Sequence, residues 1–223
     1  WYRAGPFFYR IIDGEFIPGP LIRGIIVTLQ LAGVSSVMAI LIGAFTAVGR
    51  MSNSIAGRLI ATTYLEIIRN TPLLVQLFMF YFVLAPIFEI DRFWAGVLCL
   101  AAFEGSFAAE IIRGGIQAVE RGQYEAADAT GLSKFDKYRY VIVPQALPLI
   151  LPPLTGLLIS LIKHSAIVSV IAVAELTTEG LNLISDTYMA FEIWFIVAGM
   201  YLVLTTSLSV LVNILELRMN KSR

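Results

Sequence analysis

Residues 125–144 read EAADATGLSKFDKYRYVIVP and form a polar block between two strongly apolar regions of the chain. The alanine-rich start of this block favours a helix from Tyr124 to Thr130. Gly131 can then adopt the left-handed backbone conformation that commonly ends a helix. On composition alone a solvated loop is the simpler interpretation, but the local signals predict an ordered helix with a defined end.

The second half of the block predicts another helix. Ser133 is a good N-terminal cap, and Asp136 lies three residues further on, in an arrangement like a capping box. We expect this helix to run to Val143 and to stop at Pro144, because proline lacks the backbone N–H that a helix requires. The block is thus predicted to fold as a helix, a tight turn and a second helix.

The chain as a whole is strongly apolar. Of its 223 residues, 58% are hydrophobic and only 14% are charged. Soluble domains carry about a quarter of charged residues, and the mean hydropathy here is +0.80. A soluble domain of this size would need more polar surface to cover its core. The composition therefore predicts an integral membrane protein surrounded by membrane lipid. A net charge of zero gives no reason to expect a nucleic-acid partner, and a single cysteine, Cys99, provides no disulfide framework.

Five regions of the chain are long and apolar enough to cross a bilayer, which takes about 20 residues of helix. Gly, Ala and Ser are frequent in these regions and predict close helix packing. We predict a single all-α transmembrane domain over residues 1–223. Its spans are approximately 22–49, 59–88, 93–117, 144–173 and 191–216, with a cytoplasmic loop at 121–143.

The distribution of Lys and Arg predicts the orientation, because cytoplasmic loops are enriched in both residues. The connections after the first and third spans and the C-terminal tail are basic, whereas residues 165–192 carry four acids and no Lys or Arg. We therefore expect the N-terminus outside and the C-terminus in the cytoplasm. Arg3, Arg10 and Arg23 on the outer side oppose this assignment.

The segment ELTTEGLNLISDTYMA, residues 175–190, is too polar to span a membrane. The spacing of its apolar residues predicts a short helix on the outer face, lying across the mouth of the bundle. A plain loop is the alternative.

Several blocks of the sequence together resemble the permease subunits of ATP-binding-cassette (ABC) importers. EAA, three further residues, Gly131 and an aliphatic–x–aliphatic–Pro ending resemble the EAA motif of that family, although Val141 and Val143 stand where Ile and Leu are more usual. The resemblance is to the polar amino-acid branch and covers about Gly24 to Glu216. Its other blocks are RNTPLLVQLFMFYF (69–82), AAEIIRGGI (108–116), GQYEAA (122–127), PQALP (144–148) and VSVIAVAEL (168–176).

The resemblance implies a type I importer permease that resides in the bacterial inner membrane. Such a chain is half of a transmembrane dimer, with an identical or paralogous permease as the other half. A periplasmic or lipid-anchored binding protein delivers the amino acid, and a cytoplasmic ABC ATPase dimer binds the EAA loop. The resemblance implies that the coupling residues are Glu125, Ala126, Ala127 and Gly131.

The sequence contains no G-x-x-x-x-G-K-[ST] phosphate loop, so we expect ATP and Mg to be bound by the partner ATPase. A catalytic triad or a metal cluster is equally absent from the sequence, in which His164 is the only histidine. The chain itself is therefore not expected to be an enzyme.

Glu104 is the first candidate for a substrate-binding residue, because an ionisable group at bilayer depth is costly and usually functional. Gly105 and Ser106 follow it and are expected to open space beside it. Members of the family usually have a small polar residue near this position, ahead of an Ala-Tyr pair, where this chain has Ser106-Phe107. Glu104 could pair with the ammonium group of a substrate; the alternative is an internal ion pair, with Lys163 as one candidate partner.

Lys163 and His164 are the second pair of candidates. Lys163 could meet a substrate carboxylate, but a snorkelling or paired lysine is the alternative. Members of the family commonly have Asp where His164 stands, which weakens the transfer of any role that depends on the acid. A neutral His164 that hydrogen-bonds within the bundle is the simpler interpretation.

Two further features of the sequence are interpreted structurally. Glu110 and Arg113 are spaced for a local ion pair on one helix face. Arg69, followed by Asn70-Thr71-Pro72, is expected to mark a kink in the second span.

Two other functional classes remain as alternatives to an importer permease. A secondary transporter or channel driven by ion gradients would be expected to show two related halves, and we detect no internal repeat in the sequence. A purely structural membrane scaffold would not need a buried acid or a coupling loop.

Overall fold

A computed structural model describes residues 5–12 and 15–221 of the chain. Its N-terminal part contains a short helix, α1 (Gly5–Phe8), and an antiparallel hairpin of β1 (Tyr9–Ile12) and β2 (Glu15–Pro18). The register pairs Tyr9 with Pro18. The sequence analysis did not predict this hairpin; the predicted all-α class holds for the rest of the described chain.

Ten further helices follow the hairpin in chain order. They are α2 (Pro20–Met51), α3 (Ile55–Arg69), α4 (Leu73–Phe78), α5 (Ala85–Phe88), α6 (Arg92–Gln117), α7 (Arg121–Ala129), α8 (Lys134–Asp136), α9 (Val143–His164), α10 (Leu176–Thr187) and α11 (Ala190–Lys221). Two π-helical segments, Met79–Leu84 and Lys137–Ile142, and one 3₁₀ segment, Ser165–Ile171, continue α4, α8 and α9 respectively.

Four helical stretches are long and apolar enough to cross a membrane: Pro20–Met51, Arg92–Gln117, Lys134–Ile171 and Ala190–Ile214. A fifth span results if the bent pair of Ile55–Arg69 and Leu73–Phe88 counts as one. The pair is interrupted before Pro72, where the Thr71 hydroxyl donates to the Ile67 carbonyl at 2.8 Å. Proline disfavours helical geometry in the residue that precedes it, which explains the break near the predicted kink. That this pair makes one crossing stays a prediction.

The helix that begins after Ser133 does not stop at Pro144, contrary to the sequence-based expectation. The chain remains helical from Lys134 to His164, with wide π-type turns over Lys137–Ile142. Within this segment the Val143 amide donates to the Tyr138 carbonyl five residues back. This change of hydrogen-bond register places Pro144 in the first turn of α9, where its missing N–H costs least.

The described residues group into two compact units, each of which is treated by itself below. The first unit comprises the described residues of Trp1–Val37, Pro72–Leu100 and Ile159–Arg223, and the second comprises Met38–Thr71 and Ala101–Leu158. The predicted single domain over residues 1–223 stays a prediction, and residues 1–4, 13–14 and 222–223 lie outside the described chain.

In the first unit, α10 packs against α2 and α11. Gly24 allows the closest approach, because a Cβ added there would lie 2.8 Å from the Leu176 Cα. The Leu176 amide donates to the Thr28 hydroxyl oxygen at 3.2 Å. The helix predicted between residues 175 and 190 is therefore confirmed as α10. The buried core beneath it contains Phe7, Leu21, Leu176, Leu183, Ile193 and Val197.

In the second unit, small residues bring the C-terminal half of α2 against α6. A Cβ added at Gly43 would lie 2.6 Å from the Ala108 Cβ. A Cβ added at Gly105 would lie 2.9 Å from a methyl carbon of Ile42. These approaches confirm the close packing that the frequency of Gly, Ala and Ser predicted, since small side chains let helix backbones meet in lipid.

Candidate coupling loop and polar residues of the spans

The coupling loop, residues 121–143, begins with α7 and contains the predicted tight turn. The helix ends at Ala129, and Gly131 has a φ of +74°, in the left-handed region that favours glycine. The Ser133 hydroxyl accepts the Asp136 amide at 3.1 Å and donates to the Asp136 carboxylate at 2.6 Å. The local signals in the sequence therefore located both the end of α7 and the start of α8.

The predicted coupling residues differ in exposure. Glu125 is exposed and accepts a hydrogen bond from Arg121, one turn earlier on α7, at 3.0 Å. Ala126 is also exposed, whereas Ala127 is only 3% exposed. Ala126 therefore places a small side chain at the surface, whereas Ala127 packs inside the chain.

Polar contacts fix α7 to the elements that precede and follow it. The Tyr124 hydroxyl donates to the Ile116 carbonyl of α6 at 2.8 Å, and the rings of Tyr124 and Tyr138 are 6.4 Å apart at an edge-to-face angle. Burial raises the pKa of Tyr124, and the proximity of Tyr138 adds to the effect. The Lys137 ammonium contacts the Asp128 carboxylate at 2.5 Å. These contacts connect α7 to α6 and to the π-helical segment that precedes α9.

Glu104 and Ser106 both lie on α6 in the second unit and are buried, with exposures of 3% and 0%. The Ser106 hydroxyl donates to the Phe103 carbonyl at 2.7 Å. The space that Gly105 was expected to open is filled, because Ile42 and the Tyr64 hydroxyl lie against it. That expectation was wrong, because a helical glycine attracts close-packing neighbours as readily as it leaves room.

Lys163 and His164 lie at the end of α9 in the first unit. Lys163 is exposed and His164 is partly buried. The helix changes to 3₁₀ geometry at Ser165, whose hydroxyl donates to the Ile162 carbonyl at 2.8 Å. The two candidate pairs therefore belong to different units, and their roles in substrate binding stay predictions.

An arginine–glutamate cluster of Arg50, Arg69, Arg113 and Glu110 occupies the second unit. The predicted pair of Glu110 and Arg113 is confirmed at 2.6 Å. Arg50 also donates to the Glu110 carboxylate, and Arg69 approaches it at 3.9 Å. Sequence reasoning missed these two partners, since no local spacing connects Arg50 or Arg69 with Glu110.

Glu175 is a further buried acid, with an exposure of 0% in the first unit. It caps α10, and its carboxylate accepts the amides of Thr177 and Thr178 at 2.8 Å each. The Tyr201 hydroxyl of α11 donates to the same carboxylate at 2.8 Å. Burial raises the pKa of Glu175, and these hydrogen bonds oppose that effect. The available signal for this cap was an acid as the first residue of the predicted helical segment, 175–190.

The apolar candidate spans and the ordered polar loop between two of them are typical of a polytopic helical membrane protein. The chain belongs to the family of binding-protein-dependent transport system inner membrane components, which its residues 39–221 match. This membership supports an importer permease over the gradient-driven transporter or channel considered from the sequence, and it confirms the resemblance noted there.

Relatives in two bacteria are similar over most of their length. The probable glutamine ABC transporter permease protein GlnM of Bacillus subtilis (strain 168) is 41% identical over 164 residues, which are 73% of this chain and 76% of GlnM. The glutamine transport system permease protein GlnP of Escherichia coli (strain K12) is 38% identical over 202 residues, which are 89% of this chain and 92% of GlnP.

Solved structures share the fold. A chain from the crystal structure of an amino acid ABC transporter with histidines is 43% identical, with a TM-score of 0.83 over 89% of this chain and 94% of that one. A chain of the MetNI methionine ABC transporter is 23% identical, with a TM-score of 0.71 over 91% and 95% of the two chains. The second likeness is evidence for the fold alone.

Proposed function

We propose that this chain is the membrane-spanning half of an ATP-driven importer for polar amino acids, with glutamine as the first candidate substrate. The relatives named for glutamine support this substrate class. The observation that carries the proposal is the coupling loop itself. It presents an exposed small residue, Ala126, on a helix that is held to the rest of the second unit by Tyr124 and Lys137.

The partners proposed are a cytoplasmic ABC ATPase dimer, a second permease that is identical or paralogous, and a periplasmic or lipid-anchored binding protein. The ATPase binds ATP and Mg and contacts the exposed Glu125 and Ala126. Ala127 and Gly131 support the coupling surface indirectly. Ala127 is buried and packs α7 against the chain, and Gly131 has a positive φ and ends the turn after α7.

The proposed orientation in the bacterial inner membrane keeps the coupling loop in the cytoplasm and the N-terminus outside. Support comes from the basic residues of the loop, Arg121, Lys134, Lys137 and Arg139, because such residues favour the cytoplasmic side. The side chains of Arg3, Arg10, Arg218, Lys221 and Arg223, which bear on the same assignment, lie outside the described residues.

The proposed substrate contacts are Glu104, Ser106, Lys163 and His164. Of these four residues, Glu104 is the best-supported candidate, because it is a buried acid on a candidate membrane-spanning helix. Its carboxylate would bind the α-ammonium group of an amino acid. Lys163, in the other unit, is a separate candidate for contact with a substrate carboxylate.

The test is ATP-dependent uptake by the complex reconstituted in liposomes with its ATPase and binding protein, measured over a panel of labelled amino acids. Glu104→Gln removes the charge, and Asp186→Asn, at an exposed position of α10, is the matched control. We expect uptake of one group of substrates to fall at least about tenfold in Glu104→Gln only, as for the loss of one charge-assisted contact. Basal ATPase activity should persist.

Other outcomes separate the parts of the proposal. Normal uptake by Glu104→Gln would remove Glu104 from the substrate site and leave the importer function intact. A stable complex that takes up no amino acid would contradict the substrate class. Failure of the chain to bind any ABC ATPase would contradict the function as a whole.

A further inference from the structure

One polar cavity of the second unit lies where three membrane-spanning elements begin or end. It has a volume of about 320 Å³ and is lined by Arg50, Met51, Arg113, Ile116, Gln117, Tyr124 and Tyr138. Arg50 and Met51 are the last residues of α2, and Gln117 is the last residue of α6. Tyr138 lies four residues after the start of the third candidate span, Lys134–Ile171. Because the ends of spans meet the membrane surface, we expect the cavity near the lipid headgroups.

The charge of this cavity is positive. Its lining includes two arginines and no acidic residue. The nearest partner acid, Glu110, receives both guanidinium groups, so that two positive charges face one negative charge. Arg69, which approaches Glu110 at 3.9 Å, adds a third positive charge to the cluster.

The arginines retain donors for a ligand. A guanidinium group has five N–H donors, and the contact of Arg50 with Glu110 uses its Nη1. Arg113 donates from Nε and Nη2 to Glu110 and from Nη1 to Gln117, which leaves one N–H on each of its two Nη atoms. The side chains of Arg50 and Arg113 keep 34% and 29% of their surface exposed. Planar guanidinium groups match the geometry of phosphate oxygens, and tyrosines are typical of the membrane interface, where one end of the ring is wet.

A second polar cavity also includes Arg50 but is less suited to an anion. It has a volume of about 300 Å³, and its lining includes the carboxylate of Glu66 beside Arg69 and Asn70. A phosphate group there would meet a negative charge. Both cavities have two arginines in their lining, but the second also has a carboxylate there, and of the two only the first combines its arginines with two tyrosines.

We propose that the cavity of Arg50, Arg113, Tyr124 and Tyr138 binds a phosphate-ester group, and that an anionic phospholipid headgroup supplies it. Basic pockets between membrane-spanning helices are known to bind such headgroups. Tyr124 belongs to α7, so a bound headgroup contacts the coupling loop and the ends of α2 and α6 together. The proposal rests on the chain spanning a membrane and not on the identity of the transported substrate.

Lipid retention by the full-length chain, purified with the subunits that accompany it, tests the site directly. Native mass spectrometry is performed after incubation with equal amounts of phosphatidylglycerol and phosphatidylcholine with identical acyl chains. Wild type should retain phosphatidylglycerol in preference. The preference should fall about tenfold in Arg50→Gln, as for loss of one charged donor group, and severalfold in Tyr138→Phe.

Arg58→Gln is the matched control, because Arg58 is an exposed arginine of α3 in the same unit and does not line the cavity. It should retain the preference of wild type. Tyr138→Phe should fold like wild type, because it removes only a hydroxyl and keeps the ring that packs on Tyr124. A loss of lipid preference in this variant therefore cannot be attributed to misfolding. Thermal unfolding in phosphatidylcholine identifies any variant that has lost its fold.

A soluble arm distinguishes the source of the phosphate group. If sn-glycerol 3-phosphate raises the Tm of wild type but not of Arg50→Gln or Tyr138→Phe, and no lipid preference is found, the site is supported with a soluble ligand. The proposal is overturned if the lipid preference is equal in wild type and all three variants, or falls equally in Arg58→Gln. It is also overturned if neither lipid nor glycerol phosphate has a cavity-dependent effect. Since the readout is binding, a negative result leaves the importer function untouched, and a failed transport assay leaves this site untouched.

Discussion

Arg50 and Glu110, which are 60 positions apart in the chain, form an ion pair in the second unit. Arg113, one turn from Glu110 on α6, contacts the same carboxylate at 2.6 Å. One acid therefore joins the end of α2 to α6 and holds two guanidinium groups in place. Burial of Glu110 is incomplete, with 23% of its side chain exposed, but enough to make the removal of its charge costly.

Glu110→Gln should lower the free energy of unfolding by roughly 1–3 kcal/mol, because it leaves partly buried arginines without a counter-charge. Thermal unfolding in detergent measures the effect. Arg50→Gln should lower the free energy of unfolding less in the Glu110→Gln background than in wild type, because the ion pair is already broken in that background. Additive effects of the two changes would show that the pair contributes no stability.

Ala126→Leu and Ala127→Leu should separate coupling from folding. Ala126 is exposed, so leucine there should change stability by less than about 0.5 kcal/mol while it obstructs the docking of the ATPase. Ala127 is 3% exposed, so leucine there overfills the packing and should cost about 1–3 kcal/mol.

Thermal unfolding and transport-coupled ATPase activity of the two alanine variants are compared with wild type. Coupled activity that survives Ala126→Leu would contradict a docking surface at this residue. Equal stability of Ala127→Leu and wild type would contradict the buried packing of Ala127.

Gly131→Ala should destabilise the coupling loop by about 1–2 kcal/mol, the cost of a left-handed conformation for a residue with a Cβ. The φ of Gly131 is +74°, and an added Cβ would meet nothing within 4 Å, so the cost is backbone strain and not a clash. Gly131→Asn is the control, since asparagine tolerates this region better. Equal losses of Tm in the two variants would point to a clash that the geometry does not show.

Glu175 should make stability depend on pH. Burial raises the pKa of Glu175 in the folded state above its unfolded value, so the folded protein binds a proton more readily. Its contribution to stability is therefore greatest below the ordinary carboxyl pKa and declines as the pH rises through the folded-state pKa. Lowering the pH from about 7 to about 5 should raise the Tm of wild type more than that of Glu175→Gln.

The comparison of wild type with Glu175→Gln cancels most other titrations. Glu179 is present in both proteins: burial raises its pKa, Arg23 lowers it and Glu175 raises it, so only the contribution of Glu175 to its pKa differs between the two. A pH dependence of Tm that is identical in the two proteins would mean that the Glu175 carboxyl titrates alike in the folded and unfolded chains.

Features that depend on nearby residues could be predicted from the sequence. The end of α7, the cap at Ser133 and the pair of Glu110 and Arg113 each involve atoms within about one helical turn. The stop at Pro144 was predicted wrongly for a related reason: the rule for proline assumes α-helical hydrogen bonding, and the π-type turns before it remove that assumption.

The amino-acid sequence by itself determined the membrane class, the apolar helices, the helix and turn within residues 121–143 and the family. These depend on composition and on hydrogen bonds between residues that are near one another in the chain. Tertiary structure decided which alanine of the coupling loop faces outward, what fills the space at Gly105, and that Arg50 joins Glu110. It also decided that Tyr201 supports Glu175. These relationships depend on which helix faces meet after folding. Tyr201 and Glu175 are 26 positions apart and Arg50 and Glu110 are 60 apart, so no local spacing in the sequence predicts their contacts.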